Sequence, residues 1–97
     1  MTTMVKDVAP HHTCSFESVN MFIYHANPGE GVYRHEHLYP HATMVNAGRI
    51  LVRKENLEII LDKFSEPVVL KGSEWHEIEA LDEGTVFINV SSATHGY

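Results

Sequence analysis

An all-β sandwich or barrel of roughly eight short strands is the fold this sequence predicts. Three observations carry that reading. Turn-forming residues recur at short intervals, at Asn27-Pro28-Gly29, Pro40, Gly48, Asn56, Pro67, Gly72 and Asp82-Glu83-Gly84. Between them the apolar residues alternate with a period of two, the spacing of a strand whose successive side chains face opposite sides. The chain has 97 residues, 43% of them hydrophobic, with no low-complexity tract, which suits one globular domain and leaves no room for a second. Closing or doubling the sheet hides the strand edges that so short a chain would otherwise expose.

Residues 1–12 read as an N-terminal arm, with His11 and His12 exposed after Pro10 and assigned no function. In the first clear strand Met21 and Ile23 alternate with Phe22 and Tyr24, and His25 has the parity of Val19, Met21 and Ile23, near a barrel opening but not a ligand. Val32 to Leu38 reads as a strand, and Pro40, which cannot continue a sheet ladder, turns the chain so that a strand restarts at His41. Ile50 and Val52 alternate with Arg49, Leu51 and Arg53. The segment from Leu57 to Phe64 is ambiguous, because Leu57, Ile60, Leu61 and Phe64 also fit the stripe of an amphipathic helix. Its short length, the adjacent Ile59 and Ile60, and the flanking Asn56 and Pro67 favour a strand. Glu74 to Leu81 alternates with His76, Ile78 and Ala80 on one face and Glu77 and Glu79 on the other. Val86, Ile88 and Val90 alternate with Phe87 and Asn89 in the last strand, and Ser91 to Tyr97, with His95, is a polar tail.

Seven basic and thirteen acidic residues give a formal charge of -6, and the basic ones are scattered, so no stripe exists to neutralise a phosphate backbone. The first dozen residues lack the apolar core of a secretory signal, and no run approaches the ~20 apolar residues of a membrane span. These features predict a cytoplasmic protein with no nucleic-acid or membrane partner. Cys14, the only cysteine, excludes an internal disulfide and a thiolate metal cluster, and is expected to be a small buried side chain. No Ser or Cys nucleophile paired with a base, no glycine-rich phosphate loop and no pair of inward carboxylates is found, which sets aside covalent acyl transfer and nucleotide hydrolysis.

Histidine is the residue type in excess, with eight copies. His35 and His37 lie two apart on a predicted strand and so project from one face. The turn at Tyr39-Pro40 returns a third imidazole, His41, close to them, and His76 on the inward face of a later strand supplies a fourth. Imidazoles bind iron, zinc, nickel, copper and manganese to different degrees, so the cofactor expected is one divalent ion of unspecified identity. Glu36, between two inward histidines, points away from it. Tyr33 shares the parity of His35 and His37, and Tyr39 sits beside His41; both are candidates to contact the ligands of the ion or what binds there.

The order Gly29, five residues, His35, one, His37, three, His41, six, Gly48 resembles the first motif of the cupin superfamily, G-x5-H-x-H-x3-E-x6-G, with His41 in place of the glutamate. The second cupin motif, G-x5-P-x-G-x2-H-x3-N, is matched only at His76, with Ser65, Lys71, Ser73 and Ala80 at its other fixed positions. The resemblance spans Gly29 to Ala80 and implies a small jelly-roll barrel, a double-stranded β-helix, with a metal ion inside it. Replacing the carboxylate by a fourth neutral imidazole leaves a divalent site at full charge, which favours an anionic partner such as an enolate, catecholate or carboxylate. Four-histidine cupins that the chain resembles in its ligands include metal-dependent aromatase/cyclases; with His41 standing off the ion, a three-histidine site would resemble iron-dependent dioxygenases. The expected function is therefore a cyclase-, isomerase- or dioxygenase-like metalloenzyme acting on a small carbonyl- or enolate-containing molecule. The alternatives are a non-catalytic binding or sensing module and a purely structural, closed metal site. Trp75, Phe87, Phe22 and Ile60 are expected on outer faces, where a homodimer would cover them.

Overall fold

A computed structural model describes residues 4–36 and 39–92. Ten strands make up the described fold: β1 (Lys6–Asp7), β2 (His12–Phe16), β3 (Val19–Ala26), β4 (Glu30–His35), β5 (His41–Ala47), β6 (Arg49–Lys54), β7 (Leu57–Asp62), β8 (Val68–Leu70), β9 (His76–Ala80) and β10 (Thr85–Ser92). They form two five-stranded sheets, one in the order β1-β4-β9-β6-β7 and the other β2-β3-β10-β5-β8. All neighbours are antiparallel except β1 and β4. This interleaving of sequence order across two facing sheets is a jelly roll, as the turn spacing and alternation predict. Among the described residues no helix is long and apolar enough to cross a membrane.

The ambiguous segment is a strand. β7 pairs with β6 through a hairpin at Glu55-Asn56, with Lys54 opposite Leu57 and Ile50 opposite Leu61. Leu61 is buried and Ile59 packs on the core, whereas Leu57, Ile60 and Phe64 are exposed, so burial follows period two and the helical stripe is never used. The stretch read as an arm contributes to both sheets. Val5 is buried, Lys6 and Asp7 pair with Glu30 and Gly31, and His12 opens β2.

In β10 the inward face is the opposite of the one expected. Thr85, Phe87, Asn89 and Ser91 are buried, while Val86, Ile88 and Val90 are half-buried on the outer side. Phe87 is fully buried and stacks on Tyr24, its cross-strand partner, with ring centroids 4.7 Å apart and planes 9° from parallel. Phe22 opposes Asn89 and therefore shares the inner face. Of the four residues expected outside, Ile60 is exposed, Trp75 is half-buried beneath the Arg34 guanidinium at 4.1 Å, and Phe87 and Phe22 turn inward. Cys14 also departs from expectation: it is exposed, because β2 is an edge strand with all five residues open to solvent.

The space between the sheets is graded. Ala26, Val45, Ile50, Val52, Leu61, Ile78, Ala80 and Phe87 form an apolar core. Towards the ends of β4 and β10 and the starts of β5 and β9 the inner face becomes polar, with His41, Thr43, His76, Asn89 and Ser91 all buried. The opposite end is closed by turns at Gly29, Gly48 and Gly84 and by a two-pronged Arg49–Asp82 ion pair, both contacts 2.9 Å. That hydrogen-bonded guanidinium lowers the Asp82 carboxyl below its ordinary pKa. On the outer side of the β6–β9 pair, Arg53 bonds Glu77 at 2.9 Å and Glu79 at 2.7 Å, which accounts for the burial of the Glu77 carboxylate.

Candidate metal centre

Three of the four histidines singled out by sequence meet at the polar end. β4 ends on His35, β5 begins on His41 and β9 begins on His76. Strand restart after Pro40 places His41 inward and 4% exposed, and the alternation of β9 places His76 inward and 1% exposed. His35 arrives by a different route. Val32 pairs with Ile78, but His35 pairs with His76, so two residues of β4 oppose one of β9. This β-bulge brings His35 opposite His76 although Val32, an odd number of residues earlier, packs on the core. It also separates His35 from Tyr33, which is exposed, its backbone N–H donating to Asp7 Oδ1 at 2.6 Å. Tyr33 therefore does not line the cavity, although it lies two residues before His35. Tyr39 is half-buried at the bend before β5. Glu36 is exposed, and His37 lies outside the described residues.

The rings crowd around His76. Its centroid is 4.5 Å from that of His35 and 4.9 Å from that of His41, with interplanar angles of 68° and 69°. Nε2 of His41 and Nε2 of His76 are 3.1 Å apart. On His35 the Nδ1–H donates to the Tyr33 carbonyl at 2.9 Å, which leaves Nε2 as the nitrogen with a lone pair. Among the described residues no three imidazole, thiol or carboxylate groups already stand in a metal-holding arrangement. The donor chemistry nevertheless fits an ion. Two imidazole nitrogens each ~2.1 Å from one ion lie ~3.0 Å apart when the angle at the ion is ~90°, and ~3.4 Å apart when it is tetrahedral. The observed 3.1 Å lies between the two, a spacing at which both nitrogens can reach one ion.

Sequence reading missed the polar residues beside these rings. Thr43, two residues after His41 on the same face of β5, has its Oγ1 3.2 Å from His41 Nδ1 and 2.7 Å from Asn89 Oδ1. The signal was present in the spacing of His41 and Thr43, but Asn89 was hidden by the inverted reading of β10. A groove of about 370 Å³ lies against this end, lined by Pro40, His41, Val69, Val90 and Ser91 among others. His25 is exposed on the outer face of β3, where His11 stacks on it at 4.1 Å and His12 lies 6.2 Å away; none of the three approaches the inner cluster.

No protein-family model and no curated protein sequence matches the chain. Solved structures do. KdgF from Halomonas sp. is similar over 84% of this chain and 76% of its own, at 17% identity and a TM-score of 0.76. A cupin-2 domain containing protein from Shewanella frigidimarina aligns over 88% of this chain and 83% of its own, at 15% identity and a TM-score of 0.68. A conserved protein with a double-stranded β-helix domain from Klebsiella pneumoniae aligns over 88% and 77%, at 18% identity and a TM-score of 0.70. At these identities the likeness shows the fold, and that fold is the cupin barrel.

Proposed function

We propose that this small cupin-fold chain, one domain over residues 1–97, holds a single divalent ion with His35, His37, His41 and His76 and acts as a metalloenzyme on a small carbonyl- or enolate-containing molecule. The observation that carries the reading is the meeting of His41 Nε2 and His76 Nε2 at 3.1 Å at the buried polar end of the barrel. In the metal-free chain one Nε2–H can donate to the other across this contact, and an ion of the iron, zinc, nickel, copper or manganese type would take the place of that hydrogen. Bound there, it would supply Lewis acidity to a carbonyl or enolate oxygen, or a place for dioxygen.

The chain's own residues shape what reaches that point. Neutral imidazoles leave the site charge uncompensated, which draws an anionic group, and no carboxylate is buried on the inner face among the described residues. An exposed free thiol at Cys14 suits a reducing compartment, which supports placing the protein in the cytoplasm. Elemental analysis of protein purified without added metal tests the reading. About one ion per chain is expected for the wild type, with loss in His35→Ala and His76→Ala; full occupancy in both variants would remove the proposal.

A further inference from the structure

We infer that Asn89, acting through Thr43, is a positioning residue that fixes the tautomer of His41 so that Nε2 is bare and faces the cluster. The inference rests on the metal-binding reading above and deepens it. His41 and Thr43 lie on the inner face of β5, and Asn89 is the cross-strand partner of Thr43 on β10. All three are buried, Thr43 completely, so these groups satisfy one another without bulk water.

A threonine hydroxyl has one hydrogen to give. Thr43 gives it to Asn89 Oδ1, at 2.7 Å. Its oxygen can then only accept from the other polar neighbour, His41 Nδ1, at 3.2 Å. Nδ1 must carry the ring hydrogen, and in a neutral imidazole that leaves Nε2 with the lone pair, 3.1 Å from His76 Nε2. A backbone carbonyl does the same for His35, where the acceptor is Tyr33. On β5 the job falls to side chains, and the direction of the relay depends on Asn89 presenting an acceptor. Remove it, and the Thr43 hydroxyl turns to donate to His41 Nδ1, which moves the ring hydrogen to Nε2 and blocks the nitrogen aimed at the ion.

The test reads the tautomer itself by long-range ¹⁵N–¹H correlation on metal-free protein labelled at histidine, and zinc affinity by competition with a chelator. Wild type should show His41 protonated on Nδ1. Asn89→Leu should move the hydrogen to Nε2 and weaken zinc binding about 10- to 100-fold. Asn89→Asp and Thr43→Ser, which keep the acceptor and the hydroxyl, should retain the wild-type tautomer and guard against misfolding of the leucine variant. Wild-type His41 protonated on Nε2, or unchanged tautomer and affinity in folded Asn89→Leu, would overturn the inference. A wild type with the expected tautomer that takes up no zinc would instead refute the metal-binding reading and leave the relay standing.

Discussion

Gly29 and Gly48 bracket the histidine-bearing stretch, and both have positive φ, 86° and 74°. Sequence spacing marked these positions, but it could not say what each glycine does. At Gly29 an added Cβ would meet open space, so only the left-handed backbone resists substitution. At Gly48 it would also run into Thr85 Oγ1 and the Thr85 backbone, where β10 begins. A side chain in this backbone region costs about 1–2 kcal/mol. Gly29→Ala should therefore lose about that much stability in urea denaturation, and Gly48→Ala should lose clearly more. Equal losses would mean that the contact with Thr85 is not a constraint. The same contrast holds for the histidines. His41 and His76 were legible because a proline and a clean alternation fix their direction, whereas the facing of His35 depends on a bulge that no local residue announces.

Alternation in a strand defines two faces without saying which is inside, and β10 shows the consequence. Val86, Ile88 and Val90 form the more uniformly apolar side, yet the inner side is Thr85, Phe87, Asn89 and Ser91, which sets Phe87 against Tyr24 in the core and Asn89 beside Thr43. The apolar side of β10 instead joins Met21 and Ile23 of β3 and Met44 of β5, their register partners, in a continuous outer patch. Two such faces packed together would remove it from water, so the homodimer expected from the sequence would form through this sheet and not through Phe22 or Phe87. Light scattering at micromolar concentration should give twice the 11.0 kDa of one chain, and Ile88→Glu should return the mass to a single chain. A wild-type mass of 11.0 kDa would end the proposal.

At the scale of the whole molecule, the fold class followed from turn spacing and period-two alternation, because a jelly roll repeats one simple pattern many times. The site was legible only in part. Three of its proposed ligands, His35, His37 and His41, are written in a compact spacing from Gly29 to Gly48, but His76 and the Asn89 that bonds Thr43 beside His41 come from later strands that the fold brings alongside. The resulting barrel has an apolar body and one polar end, and the central claim is that this end holds one divalent ion with positions left for a further ligand. Titration of metal-free protein with cobalt(II) tests it most directly, since the visible spectrum reports both stoichiometry and coordination number. Saturation at one ion per chain, with the weak bands of a five- or six-coordinate ion that change on adding a carboxylate, catechol or diketone, is the predicted result. No saturable spectral change, or intense four-coordinate bands indifferent to those additions, would contradict it.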